Sequence, residues 1–294
     1  MPKLPLTVII PTLNEERNLP KTLDSVVGWA REVIVFDSFS DDRTADVAKA
    51  YGATFVQRRF DNYSTHKNWA LENICFQTEW VLFLDADERL SPALRQEISD
   101  VLLAGGRDCD GYYVPRQVWF MGAWMKHGGV YPNLNLRLFR HALGRYENRL
   151  VHEHVILNGN VGYLTNDLVH DDYKGLEMYI ARHNVYSSME ALEALKLRNC
   201  IGERNGGLSM RGSGLERRRL LKELSYRYVP GRPLFKFIWM YLLKMGFLDG
   251  RAGFRYCVLQ AFYEYQISLK RIELECDPQS PIRYKYNAPK DESA

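Results

Sequence analysis

The chain is 294 residues long, 46% hydrophobic and 26% charged, enough for one large domain or one domain with a substantial extension. A formal net charge of +3 is too small to argue for nucleic acid as a partner, and none is expected, although basic residues crowd the last third: Arg204, Arg211, Arg217, Arg218, Arg219, Lys222, Arg227, Arg232 and Lys236. Five scattered cysteines (75, 109, 200, 257 and 276) form no Cys-X-X-Cys pair and read as reduced thiols of a cytoplasmic protein. The start, Met-Pro-Lys-Leu-Pro-Leu-Thr, runs straight into a strand, so no signal peptide is expected. No window reaches the roughly 18–20 uninterrupted apolar residues of a spanning helix.

Leu6 to Ile10 is an apolar, β-branched run and reads as the first strand, ending at Pro11-Thr12-Leu13-Asn14-Glu15-Glu16. Asn14 or Asn18 is placed to cap the helix that follows, with Leu19, Leu23, Val26 and Val27 at helical spacing. Glu32 to Phe36 reads as a second strand, ending in Asp37-Ser38-Phe39-Ser40-Asp41-Asp42. A helix from Thr44 to Tyr51 closes on Gly52, Thr54 to Gln57 is a short strand, and His66 to Ile74 is a third helix. Val81 to Leu84 is a continuous apolar run that stops at Asp85, Asp87 and Glu88, the pattern of a strand buried on both faces. This alternation predicts an α/β fold with a doubly wound, mainly parallel sheet.

Ligands of such sheets sit outside the carboxyl ends of the strands, where all three acidic loops fall. No Gly-X-Gly-X-X-Gly or Gly-Lys-Ser/Thr is present, so an acidic site that binds phosphates needs a metal for positive charge. Asp85 and Asp87 offer the oxygen ligands of Mg²⁺ or Mn²⁺. Asp-X-Asp also fits a strand-end turn capping a helix at Ser91-Pro92-Ala93.

Four ordered segments carry a resemblance: Val8 to Glu16, Asp37 to Asp41, Lys67-Asn68-Trp69-Ala70-Leu71, and Phe83 to Glu88. They resemble the family 2 glycosyltransferases, inverting enzymes of the GT-A fold that use nucleotide-diphosphate sugars, over residues 4 to about 175. The resemblance implies that Pro11, Thr12, Asn14, Glu15, Asp37 and Asp41 hold the base and ribose, with Lys67 near the nucleotide. It places Asp85 and Ala86 near the ribose or sugar and makes Asp87 a metal ligand.

Further along, Gly111 to Arg116 reads as a strand leading into the aromatic stretch from Trp119 to Trp124, whose rings suit either a sugar or the core. Leu136 to Arg140 is a strand in which Arg137 is placed to meet phosphate or acceptor. An inverting transfer needs one carboxylate to take the acceptor's proton. Glu153 is the first candidate, and Asp171 and Asp172 are the alternatives. His170 is expected to complete the metal shell beside Asp87. The order Arg-Leu-Phe-Arg, Val-His-Glu, His-Asp-Asp-Tyr resembles the branch of lipopolysaccharide-core β-glucosyltransferases.

From Leu176 the pattern turns helical. Glu177 to Lys196 is amphipathic, 205–214 is a glycine- and arginine-rich linker, Leu234 to Leu248 is strongly apolar with Lys236 and Lys244, and Tyr256 to Leu274 is an aromatic helix. Lysines beside aromatics suit a membrane interface, and an ordinary helix packed on the catalytic domain or on a partner subunit, including a second copy of the chain, would show the same pattern. The expected organisation is a GT-A catalytic domain over 1–175, a helical, membrane-associating region over 176–276 and a loosely held tail over 277–294.

The expected function is metal-dependent transfer of a sugar, with UDP as the family's default carrier, to a glycan or lipid-linked acceptor of the bacterial envelope. It would take place at the inner face of the cell membrane. The rival readings are a sugar-phosphate nucleotidyltransferase and a non-catalytic nucleotide-sugar-binding adaptor at the membrane. The first usually has a basic, glycine-rich loop after the first strand, where this chain is acidic.

Overall fold

The computed structural model describes residues 3–151, 153–203, 231–277 and 279–283, with the backbone alone for 197–203. The basic residues from Arg204 to Arg227, the linker at 205–214, His152, the Cys200 side chain and the tail beyond Arg283 lie outside what is described. The chain divides into two compact units, Met1–Gly175 and Leu176–Ala294.

The first unit is built on one twisted, mixed sheet. Its strands are β1 (Leu4–Thr12), β2 (Ala30–Asp37), β3 (Thr54–Gln57), β4 (Trp80–Phe83), β5 (Glu88–Leu90), β6 (Gly111–Phe120), β7 (Ala123–Trp124), β8 (Asn133–Arg140), β11 (Val161–Tyr163) and β12 (Leu168–His170), in the order β3-β2-β1-β4-β8-β6-β12-β5 with β7 and β11 each paired to β6, while β9 (Gly144–Tyr146) and β10 (Val155–Leu157) pair separately. β3, β2, β1 and β4 are mutually parallel. β8 runs antiparallel to both β4 and β6, and β12 is parallel to β6 but antiparallel to β5. This is the α/β sheet of the GT-A type: the alternating half is doubly wound and parallel, and the later strands make it mixed.

Period-two alternation divides each central strand between two cores. Leu6, Val8 and Ile10 of β1 join Leu82, Leu19, Leu23, Leu94 and Ile98 on one face, against α1 (Leu19–Asp24) and α4 (Pro92–Leu103). Ile9, Phe36, Val81, Phe83 and Phe139 pack on the other with Ala70 of α3 (Tyr63–Asn73). Continuous apolar runs were therefore the correct sign of strands covered on both sides. Asn62 caps α3 and Ser91 caps α4 through their side-chain oxygens. Neither Asn14 nor Asn18 caps α1, because both carboxamides are used in longer-range contacts described below. The aromatic stretch 119–124 is a tight hairpin: β6 pairs with β7 (Ala123–Trp124) through Met121 and Gly122, whose φ angles are +51° and +76°.

In the second unit, α5 (Gly175–Glu203) packs along a helix spanning Gly250–Cys276, joined by Tyr263 to Glu190 (3.0 Å), Gln260 to Tyr179 (3.1 Å) and Lys270 to Ser187 and Ser188. The apolar run from Leu234 is not one continuous helix. It is α-helical over Arg232–Ile238, π-helical over Trp239–Leu243, and breaks at Met245, where φ is +56°. A Cβ on Gly253 would run into the Gly246 carbonyl oxygen, so two glycines permit the turn into the last helix to close. The first residues of the expected loose tail are anchored: Ser280 is buried and donates to Glu273 at 2.6 Å.

Candidate active site

Parallel pairing brings the carboxyl ends of β1, β2, β3 and β4 to one edge, with Thr12 level with Asp37 and Asp37 level with Gln57. The loops after β1 and β2 are sewn together there. The Asn14 amide donates to Ser40 Oγ (2.8 Å), Asn14 Oδ1 accepts from the Asp41 amide (3.0 Å), the Glu15 amide donates to Thr44 Oγ1 (2.8 Å), and the Glu16 amide donates to Asp42 (3.0 Å). Asp37 is the hub and is 0% exposed. Its Oδ1 accepts from Thr12 Oγ1 (2.9 Å) and Ser40 Oγ (2.5 Å), and its Oδ2 accepts from the Ser40 amide (2.9 Å) and Gln57 Nε2 (3.1 Å). Four donors fill the roughly four lone-pair sites of a carboxylate. A base or ribose held at Asp37, its expected place, would have to take over one of these four bonds.

Residues that sequence reasoning passed over adjoin this hub. His66 stacks on Phe36 (centroids 4.1 Å apart), lies 3.4 Å from Ser38 Oγ and 3.2 Å from Arg58, whose amide donates to the Asp37 carbonyl. Burial, reinforced by Arg58, pulls His66 down to about 4, so the imidazole is neutral near pH 7. The only signal for it was its place at the start of a helix facing the β2 loop.

The turn after β4 is a compact charge network. The Asp85 amide donates to Glu88 Oε2 (2.9 Å), and Thr22 of α1 holds the Ala86 carbonyl (2.6 Å). Arg137 of β8 bridges Asp85 (2.6 Å) and Glu88 (2.9 Å), and Arg116 of β6 reaches Glu88 at 3.2 Å. Burial opposes charge on Asp85, but Arg137, followed by Lys67, holds it below the usual carboxylate range. Glu88, fully buried, is pushed up. Arg137, expected at the acceptor, is instead 8% exposed and committed to these two acids.

The β12–β5 ladder pairs His170 with Glu88, and the Asp171 amide donates to the Asp87 carbonyl, so His170 Nε2 comes 3.2 Å from Asp87 Oδ2. Burial disfavours the imidazolium, yet Asp87 outweighs it and His170 is raised. Two donors about 2.1 Å from one octahedral cation stand about 3 Å apart, so this spacing and this donor set suit Mn²⁺ or Mg²⁺. Among the described residues no group of three or more His, Cys, Asp or Glu could hold a metal by itself. Diphosphate and water would have to supply the remaining positions.

Lys67 Nζ binds Glu153 Oε1 at 2.8 Å, both side chains nearly buried. Burial would depress Lys67, but Glu153, then Tyr146 and Asp85, hold it above its ordinary value. The other base candidates lie elsewhere: Asp172 accepts from Asn18 (3.0 Å) and the Lys174 amide (2.9 Å), and Asp171 accepts from Tyr173 (2.7 Å) beside Arg89. Burial pushes Glu15 up to about 7 despite its 2.6 Å contact with Lys174. On the β6–β7 hairpin, Trp119 donates to Gln117 (3.3 Å), Gln117 and Tyr131 both donate to Asp167, and Trp124 presents a buried indole N–H with no partner.

Against known sequences, a profile described as glycosyl transferase family 2 matches residues 7–155. The chain belongs to that family. The lipopolysaccharide core biosynthesis glycosyltransferase LpsC of Rhizobium meliloti is 36% identical over 198 residues, covering 65% of this chain and 72% of LpsC. An uncharacterized glycosyltransferase of Rickettsia prowazekii is 26% identical over 288 residues, covering 94% of this chain and 90% of its own. Among solved structures, S. aureus TarS in complex with UDP-GlcNAc aligns over 92% of this chain and 91% of that chain, with 16% identity and a TM-score of 0.44. As a family 2 member the chain is a glycosyltransferase, which sets aside the nucleotidyltransferase and the non-catalytic adaptor.

Proposed function

We propose that this glycosyltransferase moves a hexosyl unit from a nucleotide-diphosphate sugar, UDP-linked, to a glycan or lipid-linked acceptor of the lipopolysaccharide core. The anomeric centre inverts and Mn²⁺ or Mg²⁺ assists. The name of the LpsC relative supports the acceptor class. The observation that carries the reading is the Asp87–His170 pair. Asp85 and Glu88 are already neutralised by arginines that cannot leave, whereas Asp87 faces a titratable imidazole whose proton a divalent cation can replace.

Asp87 and His170 would hold the ion, which when bound supplies Lewis-acid neutralisation of the departing diphosphate. Arg137 fixes Asp85 and Glu88 so that Asp87 keeps its aim. Glu153 takes the proton from the acceptor hydroxyl during in-line attack. Lys67, 2.8 Å away, holds its carboxylate in place, whereas Asp171 accepts from Tyr173 beside Arg89 and Asp172 accepts from Asn18 and the Lys174 amide. Trp119 and Trp124 seat the acceptor sugar, the unpaired Trp124 N–H offering a donor to a hydroxyl. Residues 1–175 form the catalytic domain. Residues 176–276 attach it to the inner face of the membrane, supported by exposed Leu234, Leu242, Leu243 and Leu248 around two lysines.

Calorimetric titration of UDP and GDP, each with and without Mn²⁺, into wild type and Asp87→Asn tests the donor site. Metal-dependent binding of UDP, lost in Asp87→Asn, is expected. Binding indifferent to both metal and Asp87 would sink the metal-assisted reading.

A further inference from the structure

We propose that Phe39 is the platform on which the nucleobase of the donor stacks. The inference rests on the nucleotide-sugar reading and adds to it the group that recognises the base. Asp37 is fully buried and already accepts four hydrogen bonds, from Thr12, Ser40 and Gln57, which leaves the flat face of a base to be met by another group. Two residues further along, Phe39 stands 54% exposed and has no ring contact with any described residue. Across the stitched loops Leu13 is 50% exposed, so the lip over the hub carries two apolar side chains, one of them aromatic.

The backbone makes this placement unusual. Phe39 has φ +62°, in the left-handed region that a bulky side chain rarely enters and where glycine would sit without strain. Asn14 on the facing loop has φ +56°. Ser40 locks the turn by donating from both its amide and hydroxyl to Asp37 while accepting from the Asn14 amide. A fold that needed only the turn would be served better by glycine, whereas the phenylalanine here stands more than half exposed. Strained, exposed residues held by a rigid frame are found where a ligand is bound. A flat, exposed ring at the carboxyl edge of β2 matches one chemistry in particular, the π-face of a base, which every nucleotide carries.

The test is titration of UDP and of inorganic diphosphate, both with Mn²⁺, into wild type, Phe39→Gly and Phe39→Trp, together with thermal unfolding. Phe39→Gly is expected to unfold no lower than wild type and to bind diphosphate equally, yet to bind UDP about 5- to 100-fold more weakly. Phe39→Trp is expected to retain UDP affinity and to show a fluorescence change with UDP but not with diphosphate. Equal UDP affinity in wild type and Phe39→Gly overturns the platform and leaves the nucleotide-sugar reading standing. Parallel loss of UDP and diphosphate binding in Phe39→Gly also overturns it, because the role would then be structural. Failure of wild type to bind any nucleotide overturns both.

Discussion

Lys67 and Glu153, 86 positions apart in sequence, form a nearly buried ion pair at 2.8 Å beside the Asp85 turn. The pair sets two opposed requirements. Glu153 must be held where an acceptor hydroxyl can reach it, which Lys67 does, but Lys67 must also leave enough of the carboxylate open for the acceptor. Lys67→Met is therefore expected to lower kcat at least about 100-fold near pH 7. Glu153→Gln should lower kcat by a similar factor with little change in KM for the donor. A kcat unchanged from wild type in Glu153→Gln would remove the base assignment.

Arg137 makes a stability prediction that is separate from chemistry. It is nearly buried and satisfies two acids, so Arg137→Met leaves Asp85 and Glu88 facing each other without their common cation. Breaking such a pair by deleting one side costs about 3–5 kcal/mol. Arg137→Lys should recover only part of this, because one ammonium cannot reproduce the fork. Urea unfolding monitored by circular dichroism measures both, and a loss below about 1 kcal/mol in Arg137→Met would show the acids to be relieved by water.

These relationships mark where sequence reading stops. The strands were legible because Leu6 to Ile10 and Val81 to Leu84 must be covered on both faces, a condition written locally in apolar runs. The acidic turns were legible because they interrupt those runs. Arg137 at Asp85, and His170 at Asp87, depend instead on the register of antiparallel strands far apart in the chain. Hydrogen-bond saturation of Asp37 was equally hidden, since it needs Thr12, Ser40 and Gln57 from three segments to converge.

His66 gives a pH dependence with a definite sign. Its folded value is about 4 against an ordinary 6.5, burial being the main cause and Arg58 the second. Between these limits the unfolded chain binds the extra proton and the folded one does not, so stability rises with pH from about 4 to 6.5 and is lost as pH falls through that window. The full effect is roughly 3 kcal/mol. His66→Phe keeps a ring on Phe36 and removes the proton, so its urea midpoint should vary less than wild type between pH 4.5 and 6.5. Parallel pH curves for the two proteins would place the acid sensitivity elsewhere.

The second unit carries the prediction about location. Leu234, Leu242, Leu243, Phe247 and Leu248 are 44–65% exposed, and the ammonium groups of Lys236 and Lys244 lie 5.5 and 5.4 Å from the Trp239 ring. No helix among the described residues is long and apolar enough to cross a membrane. The proposed contact with a bilayer surface would put these apolar side chains into the acyl boundary and the two ammonium groups against anionic headgroups. Full-length protein should co-sediment with vesicles containing anionic phospholipid, less with neutral ones, and less at high salt. Replacing Leu242 and Leu243 together by Asp should cut vesicle binding at least about tenfold while leaving turnover on a soluble acceptor analogue intact. If the wild type ignores vesicles and sediments as a dimer that the double substitution dissociates, the face belongs to a second copy of the chain.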